Sequence, residues 1–131
     1  MTAEDVDSVG MLSQCCALDG DRLYLGVDSD NNYCKGISMN KQTIHVGEFN
    51  INNQRELLPG SPSWQVIYHI CTIETVEVNI SLSRYTWRNL ACIVAHCTIK
   101  KLVVNYKVLE NADTEDLDFI EANVECFLCL K

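Results

Sequence analysis

A chain of 131 residues has room for one domain with one substantial core, residues 1–131. Apolar residues make up 47% and charged residues 21%, a globular balance that excludes a disordered segment. Eighteen acidic against ten basic side chains leave a net charge of −8. That argues against a surface that neutralises phosphates, so no nucleic-acid partner is expected.

The first seven residues are acidic and lack the basic and apolar regions of a secretory signal. No apolar run approaches the length of a membrane span, so no membrane association is expected. Eight cysteines in such a chain are then expected as reduced, mostly buried thiols, in the cytoplasm or nucleus. Residues 2–17 read as a helix, with Thr2 as cap, Asp5 three residues on, and a stripe of Val6, Val9, Leu12, Cys15 and Cys16. Asp28-Ser29-Asp30-Asn31-Asn32 is a polar turn. It is not a calcium loop, because Tyr33 and Met39 stand where that loop needs Gly and Glu.

Further along, one frame recurs. Residues 71–80 and 97–106 share five of ten positions at an offset of 26. Ile73, Val76, Val78 and Asn79 correspond to Ile99, Leu102, Val104 and Asn105. Upstream the frame is Val46, Phe49, Ile51 and Asn52; downstream it is Val124, Phe127 and Cys129. A weaker copy sits at Leu23 and Leu25, before Gly26. The central positions 23, 49, 76, 102 and 127 are spaced by 26, 27, 26 and 25. Each apolar-x-apolar pair reads as a short strand, because alternate side chains share a face.

Helical segments lie between the pairs. Ser61-Pro62-Ser63 opens one, followed by Trp64, Ile67 and Tyr68. Trp87, Leu90, Ile93 and Val94 form the stripe of a second. Thr114-Glu115-Asp116 starts a third, with Leu117 and Ile120 on one face. Leu90 to Leu117 and Ile93 to Ile120 both span 27 residues, so helices and strands keep one period.

A strand and a helix in 25–27 residues resemble the unit of the leucine-rich-repeat family, in its ribonuclease-inhibitor-like class. The third copy fits its last leucine at Leu109, with Lys107 at the Asn/Cys position; the asparagines fall two places earlier. The resemblance implies an α/β solenoid: about five parallel strands, helices on the convex side, and four to five repeats over 20–131, the last incomplete. Residues 1–19 would form an N-terminal capping helix.

In such an arc the strands line an open concave face. The resemblance places Tyr24, Asn50, Glu77, Val103 and Leu128 between the inward pairs. Arg22, Glu48, Thr75, Lys101 and Cys126 come just before them, and Gly26, Asn52, Asn79, Asn105 and Leu130 just after. Partner binding is expected at Tyr24, Asn50, Glu77, Lys101, Val103 and Leu128. The row becomes apolar toward the last strand, Val124 to Leu130, whose edge nothing after it covers. A protein partner, or self-association through that strand, is therefore expected.

Chemistry is less well represented. Cys126-x-x-Cys129 has redox or zinc spacing, but residues three apart on a strand face opposite sides. His69 with Cys71 and His96 with Cys97 have the atoms for zinc, yet small residues stack in columns in repeats without metal. No phosphate loop, dinucleotide fingerprint or metalloprotease motif occurs. The expectation is a non-enzymatic interaction module (adaptor, recognition segment or assembly subunit) without cofactor, metal or catalytic residues. The alternatives are a viral or pathogen protein aimed at a host protein and a Cys/His metal or thiol enzyme.

Overall fold

The computed structural model of the protein describes residues 17–19, 22–24, 32–40, 43–52, 57 and 67–130. Within them the chain forms one mixed α/β sheet with two α-helices. The strands are β1 (Ala17–Asp19), β2 (Arg22–Tyr24), β3 (Tyr33–Lys35), β4 (Ser38–Asn40), β5 (Thr43–Ile51), β6 (Ile70–Val78), β7 (Thr98–Asn105) and β8 (Val124–Leu130). Helix α1 (Arg84–His96) connects β6 to β7, and α2 (Thr114–Asn123) connects β7 to β8. The sheet runs β1-β2-β3-β5-β6-β7-β8, with β4 also on β5.

β5, β6, β7 and β8 are mutually parallel. Their β-branched residues, as in Ile70-Cys71-Thr72-Ile73-Glu74-Thr75-Val76-Glu77-Val78, suit a pleated, half-buried backbone. The sequence frames align across them in three lateral rows. Val46, Ile73, Ile99 and Val124 make the first, and Phe49, Val76, Leu102 and Phe127 the second. Ile51, Val78, Val104 and Cys129 make the third. The spacings 27, 26 and 25 are therefore the sheet register itself.

Parallel crossovers are right-handed, and those through α1 and α2 step across the sheet in one direction, so both helices fall on one face. They also meet each other: Arg84 Nε lies 2.9 Å from Asp113 Oδ1, and Arg88 Nη2 3.5 Å from Asp113 Oδ2. Buried residues of the strands and the helices join in one core. Trp87, Leu90, Ile93 and Val94, the stripe read from the sequence, are its α1 contribution, and Ile120 comes from α2. Ser83 caps α1 by accepting from the Thr86 amide at 3.1 Å. Asp113 at the start of α2 makes ion pairs instead of a side-chain cap.

The other end of the sheet corrects the expectation of five parallel strands. β2 does not adjoin β5. It pairs antiparallel with β3, and β3 pairs antiparallel with β5. Leu23 keeps register with Cys34, which keeps register with Phe49, so the expected row is continued through an inserted strand. β3 and β4 meet β5 in one common register, and the pairing lapses between them at Gly36 and Ile37. Gly36 has φ +67°, a conformation that costs a side chain energy, and its carbonyl accepts from the Gly47 amide at 3.0 Å. The expected capping helix lies outside the described residues, except that Ala17–Asp19 form strand β1 rather than its last turn. Of the helix expected after Ser61, only Ile67 and Tyr68 are described as helical.

Burial fades toward β8. Phe49, Val76 and Leu102 are at most 1% exposed, whereas Phe127 is only partly buried and Cys129 is exposed. Leu102→Ala should therefore destabilise the fold by about 2–5 kcal/mol in a denaturant titration. Phe127→Ala should cost clearly less, because it leaves a smaller void.

Candidate interaction surface

The pleat that sends Phe49, Val76, Leu102 and Phe127 into the core sends their neighbours to the opposite face. In register, Tyr24 lies opposite Tyr33, Tyr33 opposite Asn50, Asn50 opposite Glu77, Glu77 opposite Val103, and Val103 opposite Leu128. Five of the six expected contact residues thus occupy one lateral row, interrupted by the unforeseen Tyr33. The sixth, Lys101, stands in the adjacent row, which reads Arg22, Lys35, Glu48, Thr75, Lys101 and Cys126. Neither described helix lies on this face.

Exposure along the row is graded. Asn50 is buried at 3%, Glu77 and Val103 are half-buried, and Leu128 is 38% exposed. Lys101 is half-buried as well. Leu130, 55% exposed, extends the apolar end. Val103, expected on the open surface, is thus more sheltered than the edge residues beyond it.

Hydrogen bonds order the polar half. Asn50 Nδ2 donates to Glu48 Oε1 at 2.7 Å, and Asn79 Nδ2 donates to Asn52 Oδ1 at 2.8 Å. The Asn52 amide donates to Asn32 Oδ1 at 2.6 Å, and the Asn79 amide to the Ile51 carbonyl at 2.9 Å. These asparagines lock the C-terminal ends of β5 and β6 together. The recurrence of asparagine after each apolar pair was the sequence signal for this, although Asn32 had none. Near the other ends, His45 Nδ1 lies 2.7 Å from Thr72 Oγ1 and Nε2 lies 3.1 Å from Thr43 Oγ1. Nothing in the repeat frame pointed to that histidine.

The thiols depart from the expected burial. Cys34 and Cys97 are buried, but Cys71, Cys92, Cys126 and Cys129 are exposed, all six as free thiols. Exposure follows from position: Cys126 and Cys129 lie on the edge strand, opposite Lys101 and Val104, and so face away from each other. Burial, and secondarily the neighbouring Cys71, push the Cys97 thiol up to about 11. His96 donates from Nε2 to the Tyr68 carbonyl and packs edge-on against the Tyr68 ring at 4.7 Å. Among the described residues, no three His, Cys, Asp or Glu side chains converge as metal ligands. Among them, too, no helix is long and apolar enough to cross a membrane.

Thiol reactivity checks this arrangement. In native protein at pH 8, iodoacetamide should modify Cys71, Cys92, Cys126 and Cys129 well before Cys97, as followed by mass spectrometry. Unfolding should erase the difference. Because Cys97 holds its proton more tightly when folded, the unfolded chain loses that proton first as pH rises. The stability linked to Cys97 should persist below its ordinary value of 9.0 and vanish as pH climbs to about 11. Urea titrations of wild type and Cys97→Ala across that window would reveal it.

Compared with known proteins, the chain matches no family model, no curated protein and no solved structure.

Proposed function

We propose that this chain is a non-enzymatic protein–protein interaction module, built as a short leucine-rich-repeat-like arc. It engages another protein through its open strand face and the exposed edge of β8. The observation that carries this reading is the parallel half of the sheet, where the described helices α1 and α2 share one face and no described helix lies on the other. Parallel sheets in compact α/β proteins bury both faces. A repeat arc is the arrangement in which one face is left free along its whole length, and extended concave faces of that kind receive proteins.

The make-up of the face supports the same reading. Its row changes from amide and carboxylate at Asn50 and Glu77 to apolar at Val103 and Leu128. Exposed apolar residues rimmed by polar ones mark contact surfaces. β8 adds a backbone edge of seven residues with no described strand beyond it, whose sole described charge is Glu125. It lacks the lysines and prolines that protect natural edges. Four exposed free thiols suit a reducing compartment, the cytoplasm or nucleus.

The test is a paired substitution. Val103→Asp with Leu128→Asp should remove the proteins that the wild-type chain captures from a lysate and leave circular dichroism unchanged. Glu121→Lys, on the exposed surface of α2, should retain them. Capture that survives the double substitution, with the fold intact, would move the interface off this face.

A further inference from the structure

Some charged side chains on the described surface are matched within the chain, and others, such as Lys107, Glu115 and Glu121, stand exposed in solvent. Lys100 pairs with Glu74 at 3.1 Å, Arg84 with Asp113 at 2.9 Å, and Arg88 with Asp113 at 3.5 Å. On the open face Glu48 accepts from Asn50. Glu77 differs. It is half-buried in the middle of its strand row, yet its carboxylate has neither a hydrogen bond nor an ion pair among the described residues. Its register partners are Asn50 and Val103, neither of them a cation. The Asn79 amide beside it is already engaged with Asn52.

Glu77 also borders a cavity. At the C-terminal ends of β6, β7 and β8, Glu77, Asn79, Val103, Asn105 and Leu130 line an open depression. Its lining combines the Glu77 carboxylate and the amides of Asn79 and Asn105 with the aliphatic side chains of Val103 and Leu130. Such a lining matches a side chain with a long apolar stem and a cationic head. The guanidinium fits best, since it is planar, weakly hydrated and able to meet a carboxylate through two N–H groups. Charge also selects against a second copy as the occupant, because two chains of net charge −8 repel and a basic segment is attracted.

We infer that this depression seats an arginine side chain of the partner protein. The guanidinium lies against Glu77, the stem lies along Val103 and Leu130, and an apolar neighbour of that arginine reaches Leu128. The inference rests on the reading of the open face as the binding surface. Self-association through β8 would leave Glu77 unmatched.

Two acetylated and amidated tripeptides test it, Leu-Arg-Leu and its analogue with citrulline, which keeps the shape of arginine without the charge. Each is titrated to millimolar concentration into methyl-labelled protein and followed by NMR. The arginine peptide should shift the Val103, Leu128 and Leu130 methyl signals, with the shifts weakening at high salt. Citrulline in place of arginine, or Glu77→Gln, should lower the affinity about tenfold or more, the usual loss when a charged partner is removed. Glu74→Gln, on the same strand but paired with Lys100, should leave it unchanged. Equal shifts of these methyls by both peptides would overturn the arginine site while sparing the open face as a binding surface. Shifts confined to other surfaces would overturn both. No shift with either peptide would overturn the arginine site.

Discussion

The structure depends on lateral register. Four parallel strands place like residues side by side, and Phe49, Val76, Leu102 and Phe127 form one continuous line that packs into the core. Side chains alternate along a strand, so this line determines what the opposite face carries. A slip of one residue would turn Glu77 into the core and Val76 into solvent. Burying a carboxylate in a core that holds Leu90 and Trp87 would cost far more than the slip returns. The core row and the row on the opposite face are thus two consequences of one pairing.

The two ends of the sheet meet this constraint differently. At β5 the row passes into an antiparallel strand through Cys34, which is small enough to lie fully buried beside Phe49. At β8 nothing described lies beyond, and burial declines along the strand from Val124 at 8% exposure to Leu130 at 55%. The apolar residues of the frame are retained there without the cover they have in β6 and β7. Exposed Leu128 and Leu130, and the thiols Cys126 and Cys129, follow from placing a core-type strand at an edge.

Much of this was legible in the chain. The spacing of apolar pairs became the register of β5 to β8, because each strand with its crossover takes 25–27 residues and advances the sheet by one strand. The stripe Trp87, Leu90, Ile93 and Val94 was legible because only one side of α1 meets the sheet. The inserted strands β3 and β4 were not. Tyr33-Cys34-Lys35 and Ser38-Met39-Asn40 are three residues each, mostly polar, and separated by Gly36, so neither carries an alternating apolar signal. Thiol exposure was hidden because composition does not reveal which strand is an edge. That Tyr24, Asn50, Glu77, Val103 and Leu128 share one row followed from alternation and the repeat spacing, whereas the unmatched state of Glu77 required knowing which residues lie across from it.

The most direct test of the account is a methyl NOESY spectrum of the free protein, centred on Val103. Cross-peaks are expected from Val103 to Leu128 across the β7–β8 pair and none to side chains of α1 or α2. Leu102, one residue earlier, should instead show cross-peaks to the core. Contacts between Val103 and either helix would mean that the face is covered, and would contradict the separation of core and binding surface on which the proposed function rests.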